Sequence, residues 1–210
     1  MKKLMLALMF PLMLLAVSNE NILAVTWLNG FCKANPKKAV CINRKPADYS
    51  LTHFTLHGLW PKNKKYCSNE PLKLSKHFMK ILEKYMPAAK YGLAKHEWKK
   101  HGTCFGTDPE TYFITGIKFT QQFNETPLLQ FFRMHMGQSV SIKRIRWIFG
   151  QIFGKGNMRK FQMLCKNGYI TEIRINLKGD PVNGDFYELV DKADEFKGVK
   201  QCQMGIIAAP

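Results

Sequence analysis

Residues 160–177 read KFQMLCKNGYITEIRINL and contain the strongest strand signal of the chain. The dipeptide Asn167-Gly168 is a strong signal for a tight hairpin turn between strands over Lys160–Cys165 and Tyr169–Leu177. The second strand alternates two sets of side chains, Ile173, Ile175 and Leu177 on one face and Glu172, Arg174 and Asn176 on the other. This alternation is typical of an antiparallel strand with one buried face. The last third of the chain is therefore predicted to be β-structure.

Helices are predicted between this hairpin and two strands nearer the start of the chain. The strands cover residues 22–27, ending at Asn29-Gly30, and Leu51–Leu56, which Gly58 ends. Apolar spacing and capping signals predict helices that end at Pro87, cover Leu93–His101, begin at Asp108-Pro109, run from Thr126-Pro127 to Gly137, and cover Ile142–Phe149. Helices between strands at both ends predict an α+β fold: a central antiparallel sheet with several packed helices, in a disulfide-stapled single domain.

Residues 1–18 have the layout of a secretory signal peptide. Lys2 and Lys3 precede an apolar run from Leu4 to Val17, and Ala16 and Ser18 are small enough for a cleavage site. A membrane anchor is the weaker interpretation, because a span needs about 20 apolar residues and this run is shorter. We expect export to the periplasm or the extracellular space, no stable membrane span, and one domain over residues 19–210.

The net charge of +17 favours a polyanionic partner. Removal of the leader takes away only two lysines, so the excess persists in the exported chain. Charge alone does not separate nucleic acid from anionic membrane or cell-wall polymers.

Six cysteines behind a signal peptide indicate disulfides formed in an oxidising compartment. They are Cys32, Cys41, Cys67, Cys104, Cys165 and Cys202, and no C-x-x-C pair occurs among them. The spacing argues against a zinc ribbon and a thioredoxin-like motif. Count and spacing alone leave fifteen pairings open.

Two segments concentrate reactive side chains: FTLHGLWP at residues 54–61 and KHEWKKHGTC at residues 95–104. On a helix, the side chains of His96, Glu97, Lys100 and His101 fit within one arc of about 140°. The zincin motif H-E-x-x-H needs histidines four residues apart. Here Lys100 occupies that position and would repel a metal ion, so no metal or other cofactor is expected.

Two histidines and a lysine without a metal suit transfer of an RNA phosphate to its own 2′-hydroxyl. A neutral imidazole can accept the 2′-OH proton and a protonated one can donate to the departing 5′-oxygen. Lysine and another donor can stabilise the charge that grows on the phosphate oxygens. The products would be a 2′,3′-cyclic phosphate and a 5′-hydroxyl. DNA lacks the attacking hydroxyl and should not be cleaved.

Both segments resemble the active-site signatures of the ribonuclease T(2) family, and other stretches resemble its bacterial periplasmic branch. The resemblance implies an endoribonuclease that acts on single-stranded RNA, with His101 as base and His57 as acid. It implies that His96 binds the phosphate, that Glu97 and Lys100 stabilise its pentacoordinate state, and that Trp60 stacks on a base. A core tryptophan is an equally good interpretation of Trp60 taken alone.

The resemblance also implies the disulfides Cys67–Cys104, Cys32–Cys41 and Cys165–Cys202, and we expect a monomer. One departure concerns Lys62, which stands where many relatives carry aspartate, so low base specificity is expected. The alternative function is a catalytically idle basic protein of the same fold that binds anionic envelope polymers. The intact set of His57, His96, Glu97, Lys100 and His101 argues against it.

Overall fold

The computed structural model of the chain describes residues 16–198 and 201–210. Most of the predicted signal peptide lies outside these residues. Of its last residues, Ser18 donates its backbone N–H to the carbonyl oxygen of Phe105, 2.8 Å away. Within the described ranges, no helix has both the length and the apolar character that a membrane crossing needs.

A six-stranded sheet forms the centre of the described part of the chain. Its strands are β1 (Glu20–Thr26), β2 (Thr55–Pro61), β3 (Ser139–Ser141), β4 (Phe161–Lys166), β5 (Tyr169–Lys178) and β6 (Met204–Ile206). The order is β2-β1-β5-β6-β3, with β4 also paired to β5. All pairs are antiparallel except β5 with β6. The predicted α+β class with a central antiparallel sheet is confirmed, with one parallel pair in addition.

The hairpin and the helix starts form as the sequence predicts. Asn167 and Gly168 adopt positive φ angles of 52° and 81°, which a two-residue turn between twisted strands requires. Asp108 accepts the N–H of Thr111 at 3.0 Å and caps its helix. The described residues contain eight α-helices: α1 (Leu28–Ala34), α2 (Ala39–Ile42), α3 (Lys76–Tyr85), α4 (Leu93–Lys100), α5 (Pro109–Asn124), α6 (Pro127–Met134), α7 (Ile142–Phe153) and α8 (Phe186–Asp191).

Two predictions about the first half of the chain are wrong. Asn29-Gly30 lies inside α1 and does not form a turn. A Cβ atom on Gly30 would stand 1.9 Å from the carbonyl oxygen of Ile170, so the glycine lets α1 pack directly on β5. The second strand begins at Thr55 and continues through Gly58 to Pro61, while Tyr49–Leu51 form a 3₁₀ turn.

The core that supports the sheet is rich in aromatic side chains. Fully buried examples are Trp27, Phe54, Trp98, Phe105, Tyr112, Phe113, Phe119, Phe123, Phe132, Phe149, Phe161 and Phe186. Their polar atoms are satisfied, since Trp98 Nε1 donates to the carbonyl of Glu70 and Tyr112 OH to that of Leu59. Trp98 thereby fixes α4, and Tyr112 joins α5 to β2. Helix α4 and strand β2 are the two elements that carry the predicted catalytic residues.

The six cysteines form three disulfides in the pairing that the resemblance implies: Cys32–Cys41, Cys67–Cys104 and Cys165–Cys202. The second bond ties the loop after β2 to the segment that follows α4. In the same place, the backbone N–H of Tyr66 donates to the carbonyl oxygen of Lys100 at 2.9 Å. The end of the α4 helix is therefore held against the loop that follows the strand carrying His57.

Candidate active site

A β-bulge in β2 places His57 and Trp60 on one face of the sheet. In the register with β1, Leu56 pairs with Val25 and Gly58 pairs with Ala24, so His57 is the extra residue. A bulge shifts the alternation of side chains by one residue. His57 and Trp60, three residues apart, consequently share the face of Ala24, whereas Leu59 points into the core with only 1% of its surface exposed.

Two residues of β5 complete the surroundings of His57. His57 Nδ1 donates to Glu172 Oε2 at 2.5 Å, and Arg174 Nε donates to Glu172 Oε1 at 2.5 Å. These side chains meet across β1 because the β1 residue opposite Gly58 and Arg174 is the small Ala24. The hydrogen bond leaves Nε2 of His57 to face the site.

The carboxylate of Glu172 keeps His57 protonated to higher pH. Burial alone would lower the pKa of His57, but the hydrogen bond and charge of Glu172, assisted by Glu97, raise it above its ordinary value. Burial likewise disfavours charge on Glu172, yet His57 and Arg174 together hold the pKa of that carboxyl below its usual value. The pair thus favours an imidazolium beside a carboxylate.

Helix α4 brings four of the predicted residues together at its C-terminal end. His96, Glu97 and Lys100 lie in the last turns, and His101 is the residue at which the helix ends. Glu97 is buried, with Oε1 3.8 Å from His57 Nε2 and 4.0 Å from His96 Nε2. The structure therefore joins the two sequence segments around Glu97.

Gly58 makes room for the Glu97 carboxylate. A Cβ atom at position 58 would stand 2.1 Å from Glu97 Oε2 and 2.4 Å from Trp60 Nε1. In the space that the glycine leaves, Trp60 Nε1 donates to Glu97 Oε2 at 2.6 Å. Burial raises the pKa of Glu97, while His57, Trp60 and Lys100 act in the opposite direction.

His101 stands in surroundings unlike those of His57. Burial, followed by the positive charge of Lys100, lowers the pKa of His101 to about 3. Its Nδ1 atom is buried and has no hydrogen-bond partner among the described residues. Its ring stacks on Trp60 with 5.3 Å between centroids. His101 is consequently neutral at neutral pH.

Trp60 lies between the two imidazoles and is covered on its faces. His101 stacks on the ring, the Arg174 guanidinium carbon lies 4.8 Å from the ring centroid, and His57 approaches edge-on with centroids 5.2 Å apart. A nucleobase could stack on Trp60 only where Arg174 moves aside. His96, by contrast, is exposed, and burial and the Lys100 charge lower its pKa.

A groove of about 680 Å³ opens beside His57 and His96. Glu172 and Arg174 line it near the histidines, and it extends along α1 and the segment before α4, where Phe31 contributes to the wall. Trp60 and His101 lie outside this groove. The site therefore has a groove on the side of His57, whereas only 4% of His101 is exposed.

Sequence reasoning missed the roles of Glu172 and Arg174. The alternation of side chains in this strand predicts that both lie on its polar, hydrated face. Instead only 8% of Glu172 is exposed. Across residues 16–198 and 201–210, no group of three or more histidine, cysteine or acidic side chains is arranged to hold a metal ion.

Known proteins resemble this chain over most of its length. A model of the Ribonuclease T2 family matches residues 20–195. Ribonuclease I of Escherichia coli (strain K12) is 26% identical over 203 residues, covering 77% of this chain and 76% of that protein. The structure of the Nicotiana alata self-incompatibility-associated SF11-RNase aligns with a TM-score of 0.65 at 20% identity, over 90% of this chain and 98% of that one.

Human RNase T2 aligns with a TM-score of 0.62 at 20% identity, over 91% of this chain and 98% of that one. The two structural likenesses show the fold. The family model covers well over half of the chain, including both segments that meet at Glu97. The chain belongs to the ribonuclease T2 family and is an RNA-cleaving endoribonuclease.

Proposed function

We propose that the enzyme cleaves single-stranded RNA by intramolecular transesterification, with His101 as base and His57 as acid. His101 takes the proton of the 2′-hydroxyl, and the 2′-oxygen forms a bond to phosphorus. The bond from phosphorus to the 5′-oxygen breaks, and His57 donates a proton to that oxygen. The products are a 2′,3′-cyclic phosphate and a 5′-hydroxyl. The step needs no metal.

The opposite pKa shifts of the two histidines carry this assignment. A base must be neutral before the reaction, and the lowered pKa of His101 keeps it so. An acid must be protonated, and Glu172 raises the pKa of His57. A general base must be unprotonated and a general acid protonated at the working pH before either can act. The two imidazoles meet this requirement together.

His96, Glu97 and Lys100 are proposed to hold the reacting phosphate. Lys100 and His96 lie on the exposed side of α4, where the Lys100 ammonium can stabilise the charge that grows on the non-bridging oxygens and the His96 ring can donate a hydrogen bond to them. Glu97 is buried between them and His57, and its raised pKa allows it to donate a hydrogen bond when protonated. The three side chains would thus supply one cation and two hydrogen-bond donors beside the catalytic imidazoles.

The position of the groove gives the substrate a direction. The leaving 5′-oxygen must be next to the acid, and His57 lines the groove whereas His101 does not. The nucleotide on the 3′ side of the cleaved bond is therefore proposed to occupy the groove. The nucleotide that carries the attacking 2′-hydroxyl would then lie on the side of His101 and Trp60.

Low base specificity is proposed for the nucleotide near Trp60. Where Arg174 moves aside, stacking on the Trp60 ring accepts every base because each base has a π-face. Lys62 cannot accept a hydrogen bond from a base edge. Tyr66 has a second exposed ring on this side of the site. Its backbone N–H donates to the carbonyl oxygen of Lys100, which keeps the residue beside the end of α4. We also propose that the enzyme is a monomer and that its predicted signal peptide directs its export.

Cleavage of the sixteen dinucleoside monophosphates in EDTA tests this proposal. We expect every substrate to give a 2′,3′-cyclic phosphate, with rates within about 100-fold of each other, and we expect deoxy analogues to stay intact. Loss of activity in the chelator with recovery on adding zinc or magnesium would contradict the mechanism. A preference above 100-fold for one base would contradict the low specificity.

A further inference from the structure

A second groove of about 430 Å³ continues the one beside His57. The two grooves share four lining residues, Leu28, Val40, Pro87 and Tyr91. The first groove starts at His57, and the second lies beyond the shared wall, between the 3₁₀ turn at Tyr49–Leu51 and helix α3. The two grooves therefore adjoin at these four residues, and a flexible chain that leaves the first groove at Tyr91 is next to the second.

Cationic side chains dominate the second groove. Its lining contains Arg44, Lys80, Lys84 and Lys90 against two acids, Asp48 and Glu83. The Asp48 carboxylate already accepts the backbone N–H of Lys45 at 2.7 Å. The three lysines are exposed, so they can turn toward a ligand. The surplus of positive charge in a concave surface favours a ligand that carries several negative charges.

An aromatic ring stands at the junction of the two grooves. Tyr91 is 40% exposed, and the Lys90 ammonium lies 5.2 Å from the centre of its ring. Alternating cations and exposed rings are the usual surface for single-stranded nucleic acid, because cations contact phosphates and rings stack on bases. A polyanion without bases would use the lysines but not the ring.

Buried polar atoms also line this groove without a partner. Ser50 is 1% exposed, and its Oγ has no hydrogen-bond partner within the described part of the chain. Arg44 donates from Nη2 to Asn29 Oδ1, which fixes the guanidinium, while its Nε is unpartnered among the described residues. A hydroxyl and a guanidinium N–H are both donors to phosphate oxygens.

We propose that the second groove binds the RNA strand that continues on the 3′ side of the cleaved bond. The leaving nucleotide fills the first groove, and the following phosphates contact Lys80, Lys84 and Lys90. The direction rests on the proposed function, because it follows from His57 as the acid beside the leaving oxygen. The enzyme would thus favour internal sites in a long RNA over bonds near a 3′ end.

Chimeric oligonucleotides with one ribonucleotide test the proposal, since only the bond after that ribonucleotide can be cleaved. The measurement compares kcat/KM for a ribonucleotide followed by one deoxynucleotide with that for the same pair extended by four deoxynucleotides on the 3′ side. We expect the extension to raise kcat/KM about tenfold at low salt, from three ion contacts of modest strength each. The triple variant K80Q/K84Q/K90Q should lose this advantage.

The salt dependence gives a second readout. Each lost phosphate contact on a single strand should reduce the slope of log kcat/KM against log salt by roughly 0.7. The triple variant should therefore show a slope shallower by about 2 on the extended substrate. The matched control is K73Q/K143Q/K155Q, which removes the same charge from exposed lysines that line neither groove. The control should keep the tenfold advantage.

Three results would overturn the proposal: an advantage that appears only with extension on the 5′ side, an equal loss in both triple variants, or no advantage in the wild type. The first result would show that the RNA strand lies in the opposite direction. The second would show that the lysines act only through the overall charge of the protein, and the third that the strand beyond the leaving nucleotide is not bound. Failure of the proposed chemistry is distinguishable, because it would leave the short substrate uncleaved or give a product without a cyclic phosphate.

Discussion

His57 on β2 and His101 at the end of α4 are the same residue type on two sides of Trp60, but their neighbours differ in charge. His57 donates to the Glu172 carboxylate, which Arg174 holds in place. His101 has cations nearby, and its buried Nδ1 has no partner among the described residues. The sheet thus places a carboxylate next to His57. The end of the helix places ammonium and imidazole groups near His101.

This difference divides acid from base without a metal and without a difference in residue type. A carboxylate partner favours the imidazolium, while burial beside cations favours the neutral ring. The sheet and the helix therefore contribute opposite protonation states to one site. The two sequence motifs alone do not produce this division, because the carboxylate that raises the pKa of His57 belongs to Glu172 on β5.

The largest expected effect is the loss of either imidazole. His57→Ala and His101→Ala should each reduce kcat by about 10²–10⁴, the usual contribution of a general acid or base. The double variant should lose far less than the product of the two, because the pair acts in one step. His77→Ala, an exposed histidine on α3, is the control. A His101→Ala enzyme with a near wild-type rate would remove the base assignment.

A smaller effect is expected from Glu172→Gln. Glutamine still accepts the Nδ1 hydrogen bond but carries no charge, so the pKa of His57 should fall. Because His57 acts in its protonated form, the alkaline limb of kcat/KM should move to lower pH. At a fixed pH above that limb, the rate should fall about tenfold for each pH unit by which the limb moves. Activity at acid pH should be retained.

The control for this variant is Glu188→Gln, an exposed carboxylate paired with Lys192 at 3.0 Å on α8. It should leave both limbs of the profile in place. An unchanged alkaline limb in Glu172→Gln would show that the carboxylate does not set the pKa of His57. A uniform loss at every pH would indicate a role in packing only.

Local sequence signals predict a turn or a helix end correctly where the residues at that position alone determine it. The Asn167-Gly168 turn and the Asp108 cap are correct because backbone angles and capping bonds decide them locally. The turn that the local sequence predicts at Asn29-Gly30 is wrong for the opposite reason. Gly30 is needed for close packing of α1 on β5, which is a tertiary contact that no local pattern shows.

The candidate site divides in the same way. The helical spacing of residues 96–101 predicts that His96, Glu97 and His101 lie on one side of a helix. The structure places all three at the C-terminal end of α4. Glu172 lies 115 residues from His57 in the sequence. The two meet only because β1 lies between their strands and presents the small Ala24. The sequence shows that Glu172 and Arg174 share one face of a strand, but it does not show that Glu172 is buried.

The most direct test is an NMR titration of the six histidines in the free enzyme, with resonances assigned through the His57→Ala and His101→Ala variants. The imidazole of His57 should titrate above its ordinary pKa of about 6.5, and that of His101 should stay neutral until the pH approaches its lowered pKa of about 3. On these values kcat/KM should be limited by His101 protonation at the acid end and by His57 deprotonation at the alkaline end. Equal pKa values for the two rings, or the reverse order, would contradict the division of acid and base between β2 and α4.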